Sequence, residues 1–153
     1  MLDEKTLCVH AVHVNEHEAE LIAQKRAKVC LCPKSNRYIG VGVAPLEMFL
    51  DKGILPGLGT DSLVSNTSLS MFAEMSALAK DHPGVDPEVI FAMATKGGAL
   101  ALQSYDRFGS IEKGKSASLL AVEFSAVALA DLYSFLVQTE NDGRLKWLES
   151  MNE

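Results

Sequence analysis

Three polar side chains interrupt otherwise apolar stretches, and their chemistry asks for an explanation. His10 and His13 break the apolar, β-branched residues 7–14, and Asp61 closes the run Gly57-Leu58-Gly59-Thr60-Asp61. A carboxylate where a strand turns into its helix can ligate a hard or borderline divalent cation, or take a proton from water that such a cation activates. It can equally do no more than cap the following turn through its short acceptor side chain. Spacing alone leaves both readings open. Ser62, Ser65 and Asn66 follow as short polar groups at the same strand end. His10 and His13 lie three positions apart, so on a strand they point to opposite faces and would not share one metal. One is expected to face a site, the other to pack under a helix or bond to backbone. A hydrogen-bonded core histidine is the plain structural alternative for either. His17, on a helical surface, and His82, in a loop, carry no expected role.

Other chemistries find no support. Ser62, Ser65 and Ser68 lack the Gly-x-Ser-x-Gly elbow of an activated serine. Gly57-Leu58-Gly59 lacks the third glycine of a dinucleotide loop, and Asp61 would set a negative charge against the phosphate. Cys8, Cys30 and Cys32 are odd in number. Cys30 and Cys32 share one face of a strand and are closer in sequence than zinc-binding cysteine pairs, so all three read as reduced, mostly buried thiols in a reducing cytoplasm.

The elements that must position these residues alternate. Strands are expected over residues 7–14, 29–32 and 54–58. The first is followed by a helix capped by Asn15, with Glu18 in capping-box spacing, running to about Lys28. Pro33 stops the second strand, and residues 34–43 read as a glycine-containing loop. Pro45 suits the first turn of a short helix and Gly53 its end. Asn66 or Thr67 should cap a long helix carrying Leu69, Phe72, Met75 and Leu78 at helical spacing. Another helix opens at Asp86-Pro87-Glu88 and should close near Gly97 and Gly98. A strand over residues 118–122, a helix over 129–137 and a strand over 145–148 complete the chain. Strand–helix repetition signals α/β architecture with a parallel sheet. Three such units cannot close a (β/α)8 barrel, which needs about 250 residues.

The chain has 153 residues, 48% hydrophobic and 22% charged, with a net charge of −6. This is the composition of a soluble globular protein. No basic stretch could neutralise a row of phosphates, so nucleic acid is not an expected partner. No apolar run approaches the ~18 residues of a membrane span, and the acidic start Met1-Leu2-Asp3-Glu4-Lys5 is no signal peptide.

Taken in order, five segments resemble the amidohydrolase-superfamily deaminases and chlorohydrolases: His10-Ala-Val-His13-Val14, Cys32-Pro33-Lys34-Ser35-Asn36, Leu58-Gly59-Thr60-Asp61-Ser62 with Ser65-Asn66, Met93-Ala94-Thr95-Lys96-Gly97-Gly98-Ala99 with Ala101-Leu102, and Gly109-Ser110-Ile111-Glu112-Lys113-Gly114-Lys115. The resemblance implies the last three β/α units of a (β/α)8 barrel over residues 1–108. Residues 109–153 would return to a small β-sandwich domain. It implies catalytic roles for His10, which would help position the attacking water and substrate, and for Asp61, which would contact a divalent metal and shuttle protons. Ser65 and Asn66 would face the substrate. The implied cofactor is zinc, with iron or manganese also suited to such ligands.

The wording from Gly59 to Leu69 resembles deaminases of 6-aminopurine nucleosides, aminofutalosine deaminases first and methylthioadenosine/S-adenosylhomocysteine deaminases next. Triazine chlorohydrolases and guanine deaminases share much of it. The family's His-x-His metal pair, its fifth-strand histidine and the nearby glutamate have no counterpart here, and Ser118 stands where the family usually carries aspartate. The expectation is therefore an incomplete piece of a hydrolase acting on C–N bonds, inactive alone, whose open edges meet the missing half-barrel or a second copy. The alternatives are a non-catalytic half-barrel that binds or assembles, and one half of a split enzyme.

Overall fold

The computed structural model describes residues 2–123, 128–138 and 145–148. Its element order is β1 (Leu7–Val9), α1 (Glu16–Gln24), β2 (Lys28–Leu31), α2 (Pro33–Ile39), α3 (Leu46–Asp51) and β3 (Gly57–Leu58). Then come α4 (Met71–Asp81), α5 (Pro87–Ala92), α6 (Gly98–Ala101), β4 (Leu119–Val122), α7 (Leu132–Gln138) and β5 (Leu145–Leu148). Strands β1, β2 and β3 form a parallel sheet in that order, with Leu7 beside Lys28 and Cys30 beside Gly57. Helices connect them, as parallel strands require. Strands β4 and β5 make a separate antiparallel pair, Leu119 opposite Leu148. Among the described residues, no helix is long and apolar enough to cross a membrane.

Local chemistry explains several boundaries. Asn15 accepts from the Glu18 amide while the Glu18 carboxylate accepts from the Asn15 amide, so the capping box starts α1. Gly53 takes φ +72° just past α3, the left-handed conformation that ends helices. The core lies between the sheet and the helices, where Val29, Leu31, Leu46, Phe49, Leu78, Ile90 and Met93 are buried. Each such side chain contributes about 2 kcal/mol on leaving water. Helix α7 packs on α4 and α5, and the Phe91 and Tyr133 rings lie 5.5 Å apart.

Four expectations are corrected. The first strand stops at Val9, not Val14, because His10 and Ala11 turn left-handed at φ +67° and +47°. His13 therefore sits in a turn, and strand alternation does not decide its direction. Residues 34–39 form α2 rather than loop: Pro33 presets φ at its first turn, and Gly40 closes it at φ +78° by donating to the Asn36 carbonyl. Apolar periodicity could not announce this helix, since its buried face includes Ser35 and Asn36. Helix α4 is capped by Ser70, whose hydroxyl accepts from the Ala73 amide, so Asn66 and Thr67 lie before it and Leu69 is exposed.

The fourth correction concerns Gly97 and Gly98. Neither ends α5; the chain continues through a wide π turn, Met93–Gly97, into α6. The Thr95 hydroxyl donates to the Phe91 carbonyl there, competing with the α ladder. Gly97 lies so close to the chain entering β3 that a Cβ would come 2.3 Å from the Pro56 carbonyl oxygen. The glycine answers close approach, not helix termination.

Candidate functional site

The final ladder bonds of the parallel sheet run from the His10 amide to the Cys30 carbonyl and from the Gly59 amide to the Leu31 carbonyl, each 2.9 Å. His10 and Asp61 lie at or just beyond them, at the C-terminal ends of the outer strands. Helix α2 rises from the end of the central strand between them. Ligands of parallel α/β sheets gather at this end.

Asp61 is held by three donors. The Ser35 and Ser65 hydroxyls each donate to Oδ2 at 2.8 Å, and the Ser62 amide donates to Oδ1 at 2.8 Å. These bonds, the Ser35 hydroxyl foremost, keep the Asp61 carboxyl below its ordinary value of 3.8; nearby His10 adds to the effect. The His10 Nε2 lies 3.7 Å from Asp61 Oδ2, and both side chains remain about one third exposed, at 35% and 32%. His10 Nδ1 meets Asn36 Oδ1 at 2.9 Å. An amide oxygen only accepts, so this assigns the hydrogen to Nδ1 and turns Nε2 toward the site.

Backbone conformation singles out the same two residues. Among the described residues, five non-glycine residues have positive φ: His10, Ala11, Arg26, Asp61 and Gln103. Arg26 and Gln103 each follow the end of a helix, where left-handed residues are common. His10-Ala11 and Asp61 follow strands. Such conformations cost on the order of 1 kcal/mol or more and persist where the surroundings impose them.

A second tier lies behind the pair. The Asn66 amide donates to the Thr60 carbonyl at 2.7 Å and to Glu74 Oε1 at 2.6 Å, while its oxygen accepts from the Thr67 amide at 2.8 Å. Glu74 is fully buried, and its Oε2 accepts from the Lys34 amide at 3.0 Å. Burial pushes the Glu74 carboxyl up, against the pull of those two donors. Lys34 Nζ donates to the Ser68 hydroxyl at 2.7 Å. Asn66 and Ser65, both expected to face a substrate, are 4% and 9% exposed, Ser65 engaged with Asp61 and Asn66 with Thr60 and with Glu74 on α4. In front of His10 a cleft of about 290 Å³ is walled by Ala11, Val12, His13, Asn36, Ile39 and Val41. Cys30 and Cys32 lie against Gly59; Cys32 is buried, Cys8 and Cys30 half-buried, and all three are free thiols.

Ser35, Asn36 and Glu74 had no expected role, nor had His82. Glu74 left a legible signal, a charge in the apolar stripe with Met71, Met75 and Leu78. His82 is buried, with Nδ1 against the Glu47 carboxylate at 2.8 Å.

Among the described residues, no three His, Cys, Asp or Glu side chains converge on a point that could hold a metal ion. Asp61 offers one carboxylate suited to a divalent cation; the described residues do not assemble the three or four protein ligands of a zinc site.

The chain is similar to known proteins over nearly its whole length. The family model described as "Amidohydrolase family" matches residues 1–146. A 5-methylthioadenosine/S-adenosylhomocysteine deaminase of Haloarcula marismortui is 38% identical over 146 residues, 89% of this chain and 33% of that protein. An S-triazine hydrolase of Gordonia rubripertincta is 33% identical over 129 residues, 80% of this chain and 27% of that protein. An adenosine deaminase from Xanthomonas campestris, solved with bound zinc, superposes with a TM-score of 0.87 at 32% identity, covering 94% of this chain and 35% of that one. The chain thus spans about a third of the length of the curated relatives it matches. Its match to the family model and its identity to these relatives place the chain in the amidohydrolase family.

Proposed function

We propose that the protein carrying this chain hydrolytically deaminates a 6-aminopurine nucleoside, with His10 and Asp61 as this chain's catalytic residues. The observation that carries the reading is the His10–Asp61 pair at the strand ends, each side chain oriented by α2 and each on a left-handed backbone. We further propose that β1, β2 and β3 are the last three units of a (β/α)8 barrel, and that residues 109–153 return to the adjoining small β-sandwich domain. A divalent metal, zinc foremost, would take Asp61 as one ligand and its others from outside this chain. When bound it supplies water of lowered pKa at neutral pH.

Asp61 does the proton work. Held ionised, it accepts the proton that water loses on attacking the amino-bearing carbon, and returns it to the departing ammonia. His10, with its hydrogen fixed on Nδ1, presents Nε2 to orient the water or a ring nitrogen. The apolar wall of Val12, Ile39 and Val41 suits the face of a flat heteroaromatic ring. The names of the relatives support methylthioadenosine or S-adenosylhomocysteine; the wording around Asp61 keeps aminofutalosine beside them.

The test uses the full-length protein and reads ammonia release from these nucleosides and from guanine, and chloride release from a chlorotriazine. Deamination of an aminopurine nucleoside supports the reading, and turnover of only the triazine or of guanine overturns the substrate class. Asp61→Ala is expected to abolish turnover and weaken metal binding. His10→Ala should retain metal while losing about 10²-fold or more in rate. Wild-type rates in either variant would overturn its assignment.

A further inference from the structure

We propose that Glu74 is a positioning residue: one buried carboxylate that holds the His10 arm and the Asp61 arm of the site in register. The inference rests on the deaminase reading above. Glu74 sits on α4 among Phe72, Met75 and Leu78, with none of its surface exposed. Burying a carboxylate on an apolar face is costly unless its oxygens are matched by donors. Both are matched here, and by groups belonging to the site.

Oε2 accepts from the Lys34 amide, which the start of α2 leaves without an intrahelical acceptor. The next two residues are Ser35, which donates to Asp61, and Asn36, which orients His10. Oε1 accepts from the Asn66 amide, whose other hydrogen goes to the carbonyl of Thr60, the residue before Asp61. Glu74 therefore touches neither His10 nor Asp61, yet lies one short relay from each. Two donors converge on one side chain, so only an acceptor on both atoms satisfies the pair. Glutamine keeps the shape but turns an NH2 toward one of those donors. Leucine or alanine would leave both unsatisfied.

The test uses the full-length protein and three variants: Glu74→Gln, Asn66→Ala, and Leu78→Ala as a control on the same helix. Misplacement of reacting groups by about 1 Å costs on the order of 10²-fold, so Glu74→Gln should lose kcat by about that factor with KM little changed. Leu78→Ala should lower the unfolding midpoint while keeping kcat. A kcat for Glu74→Gln within about threefold of wild type, or an equal loss in Leu78→Ala, would overturn the proposal. If Glu74→Gln does not fold, Asn66→Ala breaks one relay and must lower kcat; unchanged kcat there overturns it. A second readout separates this inference from the deaminase reading. The hydrogen-bonded Nδ1–H proton of His10, followed by NMR, should lose its protection in Glu74→Gln. A wild type with no deaminase activity overturns the functional reading. An unaltered Nδ1–H signal overturns the positioning role whatever the activity.

Discussion

Replacing Gly97 with alanine would set a Cβ 2.3 Å from the Pro56 carbonyl oxygen and 3.1 Å from its carbonyl carbon. Carbon and oxygen in contact sit about 3.3 Å apart, so helix and strand must separate by roughly 1 Å. Pro56 leads directly into β3, whose Gly57 pairs with Cys30 and whose neighbour Gly59 donates to Leu31. The strand cannot retreat without loosening that ladder. Overpacking of this kind costs roughly 1–3 kcal/mol. Against it stands helix propensity: Gly97 has φ −60° and ψ −45°, an ordinary helical conformation in which alanine is favoured by about 1 kcal/mol. The net expectation is destabilisation of about 1 kcal/mol.

Gly98 supplies the contrast. Its φ is −59° and ψ −46°, but the nearest atom to an added Cβ is the Met93 carbonyl oxygen at 3.9 Å. Gly98→Ala should therefore gain most of the propensity term and stabilise by about 0.5–1 kcal/mol. The adjacent variants should differ by about 2 kcal/mol, or roughly 4–8 °C in Tm for a chain of this size. Urea and thermal unfolding of both variants read this difference. Shifts of the same sign, or a difference under about 0.5 kcal/mol, would refute the close-approach reading.

Asn15→Ala removes the side-chain half of the capping box and should cost about 1 kcal/mol in chemical unfolding, while Asn15→Ser should restore most of it. The depressed pKa of Asp61 implies an acid dependence. Its contribution to stability is present above the unfolded value near 3.8 and lost as pH falls through the lower folded value. Removing the two hydroxyls in Ser35→Ala/Ser65→Ala should raise the acid midpoint of unfolding, followed by circular dichroism; an unmoved midpoint would show that the hydroxyls do not set the ionisation of Asp61.

Much of the framework was legible because its causes are local. The capping box at Asn15, the helix-opening Pro45 and the left-handed Gly53 act within one turn of chain, so residue type and spacing express them directly. His10 and Asp61 stood out for a similar reason, as polar groups on apolar strands. The rest depended on distant chain segments. Helix α2 hid because its buried face includes the polar Ser35 and Asn36, whose partners Asp61, Ser65 and His10 come from distant segments. Gly97 reads locally like a helix terminator; the strand entering at Pro56 makes it a contact surface instead. Glu74 was visible as a misplaced charge in an apolar stripe, but its donors lie 40 residues before it and eight before it along the chain. Sequence patterns report the conformational preferences of neighbours in the chain, whereas a hydrogen-bonded site draws its geometry from segments that meet only when the sheet and helices have packed.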